Sequence, residues 1–67
     1  MTTVTVNGRP QTTGAGETVE SLLDRLGLAA RYALVERNGR PVERDRYGET
    51  RLEEGDTLVV ARPVAGG

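Results

Sequence analysis

The tetrapeptide Asn-Gly-Arg-Pro occurs twice, at Asn7–Pro10 and at Asn38–Pro41, in a chain of 67 residues. Each copy follows a strand-like run: Thr3-Val4-Thr5-Val6 before the first, Tyr32-Ala33-Leu34-Val35-Glu36-Arg37 before the second. Asn-Gly is the strongest short-range hairpin signal, because both residues tolerate positive φ. Each copy therefore turns one strand back into another. Pro10 and Pro41 then fall early in the returning strands. Proline has no backbone N–H to give a ladder, so these two strands belong at sheet edges. Two hairpins with outer edge strands leave their first strands facing inward, with room for one more strand between them.

Outward from the turns, the segment between the hairpins reads GAGETVESLLDRLGLAA. Val19, Leu22, Leu23 and Leu26 recur at helical spacing and make one apolar stripe. Thr18 is suited to the N-cap, Glu17 and Glu20 to the positive end of the helix dipole, and Gly27 to a left-handed C-terminal cap. The stripe of so short a helix needs a sheet to cover it. In the last third, Arg44 to Tyr47 suit a turn or a short 3₁₀ piece, and Glu54-Gly55-Asp56 a turn. A final strand-like run, Thr57 to Arg62, follows. There Leu58 and Val60 share one face, and Val59 and Ala61 the other. Leu34 joins Val59 and Ala61 if Ala33 and Val35 face the helix. The expectation is an α+β, β-grasp fold. Its mixed sheet has four to five strands, with one helix packed across it and the last strand parallel to the first. Residues 1–62 form the domain and residues 63–67 a flexible C-terminal tail.

Composition narrows the function. A chain of this length buries only about 60% of the surface it exposes unfolded, so it has one small core and little room for an enclosed active site. It contains no cysteine and no histidine, which removes disulfides, the commonest metal ligands and the commonest general base. Catalysis by this chain alone is not expected. Acidic and basic residues interleave to a net charge of −1, without the clustered positive charge of a nucleic-acid surface. All nine basic residues are arginine, so the chain offers no side-chain amine for an isopeptide bond. The start, MTTVTVNG, has neither the charged nor the apolar segment of a signal peptide, and no apolar run reaches the length of a membrane span; a cytoplasmic location is expected.

Two tempting motifs fail on spacing. GAGETV lacks the third glycine of a dinucleotide loop, where Val19 stands, and a Walker loop needs a lysine that is absent. Glu53, Glu54 and Asp56 lack the spacing of a calcium loop and read as a polar turn. The segment Pro63-Val64-Ala65-Gly66-Gly67 is more informative. Pro63 weakens sheet pairing, and five extended residues reach about 17 Å. Gly66 and Gly67, without β-carbons, can thread a channel too narrow for other residues. A nucleophile can approach the last carbonyl unhindered. A carboxylate there is a poor electrophile until a partner converts it to an acyl adenylate with ATP. Sulfide or a persulfide can then yield a thiocarboxylate. The open face of the sheet, with Leu34, Val59 and Ala61, and the flanking Arg62 are the candidate partner surface.

These residues resemble the ThiS family of sulfur carriers, within the ThiS/MoaD group of ubiquitin-like β-grasp proteins. The resemblance runs through VNG, GETVESLLDRL, VERNGRPVER, YGETRLEEGDTLVV and the terminal VAGG. It implies that a ThiF-like enzyme adenylates Gly67 with ATP and magnesium, which this chain itself does not bind. A cysteine desulfurase or rhodanese-type donor then supplies sulfur, and a thiazole synthase uses it to build the thiazole of thiamine. Gly66 and Gly67 match the family motif residue for residue; Val64 and Ala65 match the neighbouring tail less strictly. The RPVAGG ending also resembles MoaD-type small subunits of molybdopterin synthase, which are usually longer and richer in aromatics. Carriers for secondary metabolism or transfer-RNA thiolation, and a ubiquitin-like protein modifier, remain alternatives.

Overall fold

A computed structural model describes residues 1–62; the segment 63–67, expected to be a flexible tail, lies outside the described residues. Asn7 (φ 51°), Gly8 (83°), Asn38 (53°) and Gly39 (83°) are all left-handed. Left-handed φ at both central positions makes each turn type I′, whose twist matches that of the flanking strands. The first turn joins β1 (Thr2–Val6) to β2 (Arg9–Thr13), and the second joins β3 (Leu34–Arg37) to β4 (Arg40–Pro41). With β5 (Thr57–Ala61) they form one five-stranded sheet of order β2-β1-β5-β3-β4. Pro10 and Pro41 lie in the two outer strands, as expected. β5 fills the gap between the hairpins, parallel to β1 and antiparallel to β3. Because β5 is central, its two faces are the centre of the core and the centre of the open surface.

One helix, α1 (Val19–Arg25), lies across the sheet. Thr18 caps it: the Ser21 N–H donates to Thr18 Oγ1 at 3.2 Å, and the Thr18 N–H donates back to Ser21 Oγ at 2.9 Å. Gly27 (φ 77°) ends it, with the Gly27 N–H donating to the Asp24 carbonyl and the Leu28 N–H to that of Leu23. These are the two bonds of a Schellman cap. Val19, Leu22 and Leu23 are buried against Val4, Val6, Val35, Leu58 and Val60, and Leu26 is half-buried at the margin. The core is aliphatic apart from Tyr47, which follows the 3₁₀ turn Arg44–Arg46. The pairing of β3 with β4 and the residue after it ends at the Val42 N–H to Val35 carbonyl bond, so the Ala33 carbonyl is left uncovered on that side. The Tyr47 hydroxyl donates to it at 2.7 Å. A second 3₁₀ turn, Ala30–Tyr32, leads into β3 and has no clear signal in the sequence.

The acidic turn before β5 is more than a polar loop. Asp56 is buried. Its carboxylate accepts from the Glu53 N–H at 2.8 Å, Arg37 Nε at 2.9 Å and Asn38 Nδ2 at 3.0 Å. It thus ties the turn that launches β5 to the β3–β4 hairpin. Burial alone pushes the Asp56 carboxyl up. The bonds from Glu53, Asn38 and Arg37, and the arginine's charge, outweigh that and hold it below its ordinary value.

A carboxylate whose pKa is lowered by folding stabilises the fold above its unfolded value of about 3.9; that stability is lost as pH falls through the folded value. The melting temperature of the chain should therefore fall as pH is taken below about 4. Asp56→Asn should melt lower at neutral pH, by about 4–8 °C for each kcal/mol lost, and should lack this part of the acid-induced decline. Thermal circular dichroism against pH checks both.

Candidate functional site

The site is built around the C-terminal half of β5, from which residues 63–67 continue. Two rungs pair β5 with β1, Thr5 with Thr57 and Val6 with Leu58. The β1 backbone then turns away into the first hairpin, where the Val60 peptide would lose its partners. Asn7 replaces them with its side chain. The Val60 N–H donates to Asn7 Oδ1 at 2.8 Å, and Asn7 Nδ2 donates to the Val60 carbonyl at 2.9 Å. A carboxamide carries one acceptor and one donor in the plane of an amide, so it extends the ladder by one rung. Asn38, in the other turn, holds the start of β5. Its backbone N–H donates to the Thr57 carbonyl at 2.7 Å, and its Oδ1 accepts the Thr57 N–H at 2.9 Å. The repeated asparagines thus clamp the two ends of the strand that leads to the diglycine.

β5 alternates as expected: Leu58 and Val60 are buried, and Thr57, Val59 and Ala61 are exposed. Leu34 stands directly opposite Ala61 on β3, and Val59 opposite Glu36. Leu34 and Val59 are 54% and 48% exposed, so two large aliphatic side chains stand in water on neighbouring strands. The structure therefore brings Leu34, Val59 and Ala61 together on the face opposite α1, with Arg62 exposed at the end of the strand. Val64, Ala65, Gly66 and Gly67 lie outside the described residues. Tyr32 and Ala33, expected to begin the second strand-like run, precede β3 instead: Tyr32 ends the 3₁₀ turn and is exposed, with the Arg31 guanidinium 5.0 Å from its ring centre. The side-chain roles of Asn7 and Asn38 have no separate trace in the sequence beyond the use of Asn in both turns, where Asp or Gly would serve the backbone equally well. Among the described residues no three carboxylates gather as metal ligands, and no helix is long and apolar enough to cross a membrane.

A mixed five-stranded sheet of this order, with one helix across it, is the β-grasp of ubiquitin-like proteins. The chain belongs to the ThiS family, whose model matches residues 4–67. The crystal structure of the thiamine biosynthesis protein ThiS from Geobacter metallireducens is similar with a TM-score of 0.80 and 35% identity, over 97% of this chain and 99% of that one. A solution structure of a thiamine biosynthesis protein from the same organism gives a TM-score of 0.75 and 37% identity, over 97% and 87%. The thiazole synthase of Magnetococcus marinus is 42% identical over 62 residues, which are 92% of this chain and 19% of that protein. The thiazole synthase of Paramagnetospirillum magneticum is 36% identical over the same length and shares. This chain therefore spans about a fifth of the length of these curated relatives.

The clamp has a specific test. Asn7→Gly keeps the left-handed backbone and removes the amide. Asn7→Asp keeps the shape but turns a carboxylate oxygen toward the Val60 carbonyl. The expected order of stability is wild type, then Gly, then Asp, with the Asp variant losing about 1–3 kcal/mol. Hydrogen exchange at the Val60 amide should accelerate in both variants, and more than at amides of α1.

Proposed function

We propose that this chain is a sulfur-carrier protein of thiamine biosynthesis, a protein co-substrate and not itself a catalyst. The observation that carries the reading is the family match, which runs through the β-grasp domain and includes Gly66 and Gly67. The similar structures from Geobacter metallireducens support the pathway.

In this reading the Gly67 carboxylate attacks the α-phosphorus of ATP on a ThiF-like enzyme and expels pyrophosphate. A persulfide sulfur, from a cysteine desulfurase or rhodanese-type donor, attacks the resulting acyl adenylate and expels AMP. A second thiol cleaves the sulfur–sulfur bond and becomes part of a disulfide, leaving the thiocarboxylate. A thiazole synthase accepts that sulfur. The magnesium accompanies ATP on the activating partner.

Residues 63–67 serve as the arm, and residues 1–62 as the handle. A thin arm suits this chemistry because both enzymes must reach the Gly67 carbonyl in turn, and Gly66 adds no side chain to obstruct them. The exposed patch of Leu34, Val59 and Ala61 docks against the partners, together with Arg62 and with Val64 and Ala65 of the arm. The thiazole synthase relatives support one of these partnerships, since a segment similar to this chain is part of the same polypeptide in them.

The activating enzyme should catalyse exchange of pyrophosphate into ATP only with this chain present. Removing Gly66 and Gly67 should abolish exchange while leaving the circular dichroism unchanged. Val59→Glu should raise the KM for the chain roughly tenfold or more, because docking would bury an unpaired charge. Full exchange without the diglycine would overturn the reading.

A further inference from the structure

A sheet edge offers unpaired N–H and C=O groups to any passing strand, so the two edges of this sheet decide how it meets other chains. The bonds of β1 show which groups of β2 look outward. The Thr5 N–H donates to the Asp56 carbonyl and the Asn7 N–H to the Leu58 carbonyl, both toward β5. Val4 and Val6 therefore turn their backbone groups toward β2, to their partners Gln11 and Arg9. Pro10 and Thr12 alternate with these and face away from the sheet. Pro10 has no N–H. The Thr12 carbonyl already accepts Arg25 Nη2 at 3.1 Å. The next outward residue, Gly14, is occupied twice: its N–H donates to Glu17 Oε1 at 3.1 Å, and its carbonyl accepts the Glu17 N–H at 3.2 Å.

An added antiparallel strand needs the N–H and the C=O of each outward residue together. None of these three positions has both free. Arg25 reaches Thr12 because Glu17 aims it. Arg25 Nε lies 3.1 Å from Glu17 Oε2, and Nη2 lies 3.2 Å from Oε1, a two-point pairing that fixes the guanidinium plane. At the opposite edge the Val42 N–H donates to the Val35 carbonyl at 2.9 Å, so Val42 faces inward and Pro41 outward. The next outward carbonyl, that of Glu43, accepts the Arg46 N–H at 2.8 Å.

The geometry points to a sheet whose edges are both closed to strand addition. Pro10 and the Glu17–Arg25 pair close β2, and Pro41 and the turn at Glu43 close β4. Partners of this chain then present an apolar surface to the open face of the sheet. They do not present an extended segment to its edge, and copies of the chain do not join edge to edge. Glu17 and Arg25, eight residues apart on either side of the helix start, are a guard on the neighbouring strand more than a helix-stabilising pair.

The full-length double variant P10T/R25M tests this. Threonine restores the outward N–H, and methionine keeps helix propensity without a donor. Sedimentation velocity across a concentration series should show the wild-type chain as a single small species. The double variant should self-associate at roughly tenfold lower concentration or less, with new hydrogen-exchange protection at position 10 and at Thr12. A folded double variant that sediments as the wild type does at every concentration would overturn the proposal. Should the double variant not fold, P10T alone decides through its new amide. Exchange within about tenfold of the unstructured rate places that amide outward, and strong protection in dilute solution refutes the edge assignment.

Discussion

The fold depends on holding β5 between two hairpins that are far from it in sequence. Backbone pairing holds β5 to β3 over four residue pairs but to β1 over only two, ending at Val6 and Leu58. The Asn7 carboxamide supplies the missing rung at Val60, and Asn38 secures the strand at Thr57. Asp56 adds a charged anchor just before β5, reaching the same β3–β4 turn. In so small a domain the aliphatic core leaves a modest margin of stability. A few well-placed polar contacts at the central strand are then a large fraction of that margin.

The clamp also explains how the surfaces divide. With β5 fixed in register, Leu58 and Val60 must face α1, and Val59 and Ala61 must face away. A one-residue slip would exchange the two sets and bury the exposed residues Val59 and Ala61 in the core. The edges are closed by proline and by the Glu17–Arg25 pair, which leaves the open face as the apolar surface available. In the proposed carrier role, one patch beside the C-terminus would serve each partner in turn. An exposed strand edge would compete with that exchange by capturing other strands.

The architecture was legible in the sequence because its decisive signals are local. Two Asn-Gly turns, two prolines barred from central strands and one apolar stripe admit few arrangements. The alternation that places Leu34, Val59 and Ala61 on one face was equally plain, since strand period depends on no distant contact. Local patterns do not reveal side chains with two possible employments. Asn7 and Asn38 satisfy the turn by backbone conformation alone, so their amide bonds to β5 leave no separate trace. Asp56 looks like any acidic turn residue until the hairpin closes over it. Glu17, suited by its place before α1 to the helix dipole, also orients Arg25 toward β2. Tyr47 is buried in the core, its hydroxyl donating to the Ala33 carbonyl, which β4 does not cover. Each of these depends on residues distant in the chain, which no local pattern encodes.

The central claim concerns Gly67, and one mass measurement addresses it most directly. The intact chain would be incubated with a ThiF-like enzyme, ATP, magnesium and a sulfur donor, then weighed and fragmented. The account predicts a product heavier by the difference between sulfur and oxygen, with the change confined to Gly67. An unchanged mass from an activating enzyme that adenylates a known carrier in parallel, or a sulfur located at any other residue, would contradict it.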